Sequence, residues 1–252
     1  MKLNKKLTSL GVCLFIAFLL WQLPARLVFV LLPASVAQGF GAEGTVWNGR
    51  VRIINVAGQQ LRNTEWDLAL SRLLLGQLAV DFKTRWGGGF AEGFAAVGIT
   101  GKLTLNNTLA SLDAAMLSPM LNIPQLGGQV SLDLKELELV DNWPQTLTGN
   151  LEIRNLASPM MGNGSADLIG NVAVSFDTAS EPVAGTLTGK LRDVGGPLEL
   201  DGTLTLTAPA NYDLDARIRA RPEAAKSIKE NLQFLGNPEA DGRHVFKIAG
   251  SI

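Results

Sequence analysis

The chain has 252 residues, 46% of them apolar, enough for a substantial core and too many for a disordered tail. Its 22 basic and 23 acidic side chains leave a net charge of −1, which removes the electrostatic footprint a nucleic-acid binder needs. One cysteine, Cys13, and one histidine, His244, supply neither an intrachain disulfide nor a thiolate–imidazole metal site.

From Leu7 to Leu23 the chain is almost wholly apolar, and Lys2, Lys5 and Lys6 precede it. As a helix this stretch spans roughly 25 Å, a little under the ~30 Å hydrocarbon core of a bilayer. Apolar character continues through Leu27 to Leu32, with Pro24 bending or ending the regular helix, Arg26 snorkelling to phosphate and Trp21 at headgroup level. The early lysines orient the N-terminus to the cytoplasm and send the rest across. The expected organisation is a cytoplasmic segment over 1–6, a transmembrane anchor and interfacial segment over 7–32, and an exported β-rich domain over 33–252. A cleaved signal peptide is the competing reading, because Ser35-Val36-Ala37 offers small residues at the −3 and −1 positions.

Beyond Phe40, short alternating runs separated by glycine, asparagine and proline predict an antiparallel β-meander or curled sheet. Arg50–Ile53, Trp66–Leu70 and Leu78–Lys83 are its opening strands. Trp86-Gly87-Gly88-Gly89 lacks the Gly-Lys-Ser/Thr ending of a phosphate loop and reads as a turn. Between Leu109 and Leu126, Leu112, Met116 and Met120 suggest a short helix before an irregular crossing that contains Pro119.

Strands then resume. Val130, Leu132 and Leu134 share one face, while Leu137 and Leu139 fall on the other parity, so a bulge or turn is expected near Lys135-Glu136. Thr100-Gly101-Lys102-Leu103, Thr148-Gly149-Asn150-Leu151 and Thr188-Gly189-Lys190-Leu191 look alike and read as turns. After Pro222-Glu223, Ala224, Ile228, Leu232 and Leu235 line one side of a helix closed by Gly236 and Pro238, and a last strand runs from His244 to Ile248.

Catalytic chemistry has no obvious residues. Lys135-Glu136, Glu138 and Asp141 are the one concentrated charged group, read as a solvated edge that discourages stray sheet pairing. His244 reads as a strand residue, and Asn106-Asn107-Thr108 and Asn163-Gly164-Ser165 as turn chemistry. No catalytic, cofactor or metal residues are assigned, and the protein is not expected to be an enzyme.

A family resemblance rests on Pro24-Ala25 just beyond the apolar run, on Gly44-Thr45-Val46-Trp47-Asn48-Gly49, and on Tyr212-Asp213-Leu214-Asp215-Ala216 before the Pro222 helix. In this order and spacing they resemble type II secretion system protein N, over the whole chain. The resemblance implies a bitopic inner-membrane protein of a Gram-negative envelope, accessory to the machine that moves folded proteins out of the periplasm. Its partners would be other secretion subunits and the inner-membrane bilayer, with no cofactor; self-association is left open. Pro24, Ala25, Gly44, Thr45, Val46, Trp47, Asn48 and Gly49 read as structural residues, with Trp47 expected to be a buried anchor. The exported sheet also resembles, at fold level alone, the AsmA-like envelope proteins. That likeness supplies the alternative function, lipid handling in an apolar β-groove, with Leu198, Leu200, Leu204 and Leu206 as its lining.

Overall fold

A computed structural model describes residues 5–33, 36–56, 58–118, 125–158, 167–178 and 185–251. Its strands are antiparallel, and the chain divides into two compact units, residues 1–87 with 94–96 and residues 88–93 with 97–252. Within each unit the strands are hydrogen-bonded neighbours in the order in which the chain makes them, as a meander of hairpins requires. The expected β-rich fold with one C-terminal helix packed on the sheet is present.

The first unit begins with helix α1 (Lys5–Trp21), followed by α2 (Arg26–Leu31). Seventeen residues give α1 a length of about 26 Å. No helix among the described residues is long and apolar enough to cross a membrane. The apolar stretch from Leu7 to Leu32 is two helices, with the break on either side of Pro24, whose ring removes the N–H that a continuous helix would need. Four strands follow: β1 (Ala37–Gly44), β2 (Asn48–Val56), β3 (Gln59–Leu68) and β4 (Gln77–Trp86), with the short helix α3 (Leu70–Leu73) between β3 and β4. Leu70, expected to continue a strand from Trp66, instead opens α3.

The core of this unit gathers Ala37, Val51 and Ile54 with Ala42, Val56, Leu61, Trp66 and, from α2, Phe29. Phe29 meets Trp66 edge to face, with ring centroids 6.4 Å apart. Gly39 leaves room for that ring: a Cβ there would stand 2.5 Å from it.

β5 (Gly89–Gly98) follows a turn at Gly87-Gly88, as read from the glycine run, and contributes residues to both units. The second unit continues with β6 (Leu103–Asp113), β7 (Gly127–Val140), β8 (Trp143–Ser158), β9 (Asp167–Asp177), β10 (Thr186–Gly195), β11 (Leu198–Thr207), β12 (Asn211–Ala220) and β13 (His244–Ser251). The bulge expected near Lys135 is there: Leu134 opposes Gly149 and Glu136 opposes Thr148, so Lys135 is the extra residue of β7. Helix α4 (Lys226–Leu232) continues into a 3₁₀ turn, Gln233–Leu235. Its apolar side is the one the spacing predicts, with Ala224, Ile228 and Leu232 buried against Val172, Leu198, Leu200, Ala216 and Ile218 of the sheet.

Four expectations are corrected. Thr148-Gly149-Asn150-Leu151 and Thr188-Gly189-Lys190-Leu191 lie inside β8 and β10, and of the three similar segments only Thr100-Gly101 occupies a turn, closed by Gly98 N–H to Lys102 O. Gly149 and Gly189 flank Phe176 of β9 in register, and a Cβ on Gly189 would stand 2.6 Å from the phenyl ring. Close packing across strands, not turn geometry, demands glycine there.

The expected helix after Leu109 is instead β6 running to Asp113 and a single 3₁₀ turn, Ala114–Leu117, whose Ala115 N–H donates to the Asp113 carboxylate. Pro119 and Met120 lie outside the described residues. Asn106-Asn107-Thr108 sits within β6, with Asn107 at φ +46°, and Asn163-Gly164-Ser165 lies outside the described residues. Lys135, Glu136 and Glu138 are not on an edge: β7 is paired on both sides, to β6 and β8. Glu138 forms an ion pair with Lys102 at 2.6 Å, and Asp141 with Asn142 makes the β7–β8 turn at positive φ.

Candidate functional site

The eight residues singled out by the sequence come together in the first unit, where the N-terminal helices meet the β1–β2 hairpin. α1 ends at Trp21, leaving its last carbonyls without helical donors. Gln22 N–H reaches Phe18 O at 3.1 Å, and Leu23 N–H reaches Leu20 O at 3.3 Å. The Leu20 carbonyl gains a stronger donor from outside the helix, the Trp47 indole Nε1–H at 2.8 Å. The hairpin thus supplies a side-chain cap to the C-terminus of the apolar helix.

The backbone continues the connection. Pro24 forms an isolated antiparallel bridge with Thr45. Ala25 N–H donates to Gly44 O at 3.0 Å, and Val46 N–H to Leu23 O at 2.8 Å. In effect residues 23–25 form a short added strand beside the hairpin turn, and Pro24, which cannot donate, sits where its carbonyl side and ring suffice. Ala25 is buried.

Two glycines make the turn possible. Gly44 has φ +83°, and a Cβ on it would stand 2.6 Å from the Asn48 carbonyl. Gly49 would press a Cβ to 2.5 Å from the Trp66 ring and 2.8 Å from the Thr45 carbonyl. Thr45 N–H bonds Asn48 O at 2.8 Å, while Asn48 N–H returns to the Thr45 hydroxyl at 3.1 Å. The Asn48 amide donates to Asp67 at 2.7 Å, Trp66 Nε1–H to Val46 O at 2.9 Å, and Leu68 N–H to Trp47 O at 2.6 Å. β3 therefore clamps the hairpin that clamps the helix.

Trp47 departs from expectation: it is half-buried, not a packed core anchor. Its one hydrogen bond from the side chain is the indole N–H to the Leu20 carbonyl. Trp66, Trp86 and Trp143 are also half-buried; Trp66 is the one among them that joins this site. Trp66 was not among the predicted site residues, because its role depends on a contact with Val46 that no local pattern announces.

Nearby charge is confined to the surface. Arg50 and Glu43 pair across β1 and β2 at 2.5 Å, and the Arg50 hydrogen bond and charge hold the Glu43 carboxyl below its ordinary range. Among the described residues no group of three or more His, Cys, Asp or Glu side chains is placed to hold a metal ion. His244 opens β13, half-buried, with Nδ1 2.9 Å from the Gly236 carbonyl. What the site consists of is a set of hydrogen bonds that join the end of an apolar helix to the first hairpin of the unit.

The second unit offers a different surface. In register across one face run Thr108, Leu134, Gly149, Phe176, Gly189, Leu204, Leu214 and Ile248. At the end of that face covered by α4, Leu198 and Leu200 are buried in the core. Leu204 and Leu206, further along β11, are half-buried, and Ile248 is exposed. Of the four leucines expected to line a lipid groove, two are therefore core residues and two are partly open.

The described geometry, an apolar helix capped and bridged by the first hairpin of an antiparallel sheet, defines a sheet protein with an N-terminal apolar arm. The family model described as "Type II secretion system (T2SS), protein N" matches residues 38–247. A relative from Vibrio cholerae named type II secretion system protein N is 31% identical over 244 residues, 92% of this chain and 92% of its own length. Another with the same name, from Aeromonas hydrophila, is 25% identical over 261 residues and covers both chains completely. The chain belongs to the type II secretion system protein N family. No solved structure matches it.

Proposed function

We propose that this member of the family is an accessory inner-membrane subunit of the type II secretion system that supports export of folded proteins from the periplasm across the outer membrane. In this reading residues 1–6 are cytoplasmic, 7–32 form the anchor and interfacial segment, and 33–252 form the periplasmic domain. The first unit's joint carries the proposal. Three hydrogen bonds, from Trp47 Nε1, Val46 N and Ala25 N, link the end of the apolar helix and the segment after it to the β1–β2 hairpin, and a fourth, from Leu68 N to Trp47 O, ties that hairpin to β3. A free tether would need none of them. A fixed joint suits a subunit that presents its sheet to neighbours at a set angle, acting through protein–protein contacts.

The span is short by a few residues as a straight helix, and the proposal has Trp21 and α2 complete the crossing of the outer interface, where amphipathic and aromatic groups are favoured. Crosslinking in intact envelopes tests it: recovery of other inner-membrane secretion subunits supports the role. Stoichiometric phospholipid with no secretion subunit recovered would instead favour the AsmA-like alternative. That alternative draws support from the open stretch at Leu204, Leu206 and Ile248, which leaves apolar surface available to an acyl chain.

A further inference from the structure

The β3–β4 connection is too apolar for a solvent-facing loop. Leu74 is 90% exposed and Leu75 73%, and Leu73 and Leu78 are also exposed. Single exposed leucines are ordinary, whereas adjacent ones at a loop tip mark a surface meant to be covered. The loop is a built structure. Ala69 N–H bonds Ala79 O across its base, Arg72 N–H bonds Ala69 O, Leu75 N–H bonds Arg72 O, and Gly76 N–H bonds Leu73 O. Arg72 is held at the side, its guanidinium 3.2 Å from the Gln77 side-chain oxygen and 5.9 Å from the Phe94 ring centroid. Backbone groups satisfied inside the loop lower the cost of moving it out of water.

Its position decides what covers it. β3 ends at Leu68, whose N–H bonds Trp47 O, and Trp47 in turn caps Leu20 at the end of α1. The loop thus leaves the first unit at the same end as the apolar helix. We infer that the loop Ala69–Gly76 seats Leu73, Leu74 and Leu75 in the interface of the bilayer that α1 enters, with Arg72 at phosphate level. This inference rests on the reading of α1 as a membrane anchor. The two contacts, helix and loop, hold the first unit at two points, so they set the tilt of that unit as well as its attachment.

Depth-dependent quenching in the full-length protein, reconstituted into phosphatidylethanolamine–phosphatidylglycerol vesicles, tests the inference. An environment-sensitive fluorophore is placed on native Cys13 in one sample. In two others, on a Cys13→Ser background, it is placed on Leu74→Cys or on Gln59→Cys, which lies at the opposite end of β3. Leu74 is so exposed that its replacement leaves the fold intact. Lipids brominated deep in the acyl chain should quench the Cys13 probe, and lipids brominated near the headgroup should quench the Leu74 probe severalfold more than the Gln59 probe. If Cys13 is quenched while Leu74 matches Gln59, the loop inference is overturned and the anchor stands. If Cys13 is not quenched, the anchor reading fails, and the inference with it. A Leu74 probe that is shifted to the blue yet insensitive to brominated lipid would show a protein partner on the loop and would also overturn it.

Discussion

Replacing Trp47 with phenylalanine removes the indole N–H together with the five-membered ring and keeps a six-membered aromatic ring, leaving the Leu20 carbonyl with the weaker 3.3 Å bond from Leu23. A side-chain hydrogen bond to a backbone carbonyl contributes about 0.5–1.5 kcal/mol net, so the joint should open roughly 2- to 10-fold more often. Alanine removes the aromatic ring altogether; half-burial scales the ~3–5 kcal/mol of a fully packed aromatic to about 2, and with the lost bond to about 2.5–3.5 kcal/mol. That corresponds to roughly 60- to 300-fold more frequent opening. Hydrogen exchange of the full-length protein in lipid nanodiscs reads this directly, at the amides of Ala25, Val46 and Leu68, which bond across the joint. The amides of β11 and β12 serve as an internal reference. Equal exchange in wild type and Trp47→Phe, or an acceleration shared by β11 and β12, would refute a local capping role.

Gly49→Ala should destabilise the first unit by about 1–3 kcal/mol, since the new methyl group must displace Trp66 or the Thr45 carbonyl; a lowered urea midpoint followed by tryptophan fluorescence checks it. Leu200→Ala, under α4, should cost about 2–5 kcal/mol, and Leu204→Ala, half-buried, clearly less; near-equal losses in thermal unfolding would contradict the assigned burial. Asp193 carries an acid dependence. Burial raises its pKa, but the hydrogen bond from Arg221 at 2.6 Å, with Leu200 N–H and the Arg221 charge, outweighs it and leaves the pKa below the ordinary 3.8. The stabilisation is therefore present above that value and is lost as pH falls through the lower, folded-state pKa. Between about pH 6 and about pH 3 and below, Asp193→Asn should show a shallower decline in urea midpoint than wild type; an equal decline would place the acid sensitivity elsewhere.

The sheet was legible because its core residues alternate locally: Val130, Leu132 and Leu134, then a parity break that required Lys135 to bulge. The C-terminal helix was legible for the same reason, through Ala224, Ile228 and Leu232. Long-range pairing was not. Gly149 and Gly189 resemble turn glycines in their own tetrapeptides, and only the register of β8, β9 and β10 reveals that both flank Phe176. Lys135, Glu136 and Glu138 looked like edge charges, because strand order is invisible to composition, and β7 proved to be an interior strand. At the joint the motif residues could be picked out, but their mutual contacts could not: Trp47 reaches a carbonyl 27 positions earlier, and Trp66 reaches back 20. Trp47 was expected to be buried because large aromatics usually are, and here the ring lies against a helix end instead.

The proposed role, secretion across the outer membrane through an anchored periplasmic domain, is open to direct measurement. The most direct measurement follows one deletion strain in two ways: the amount of folded exoprotein retained in the periplasm, and the detergent resistance of the outer membrane. In the secretion role, exoprotein accumulates in the periplasm behind an intact lipid barrier, reversed by wild-type protein and less well by Trp47→Ala. Normal secretion with a damaged barrier would contradict it, and would move the function to the half-open apolar face at Leu204 and Leu206.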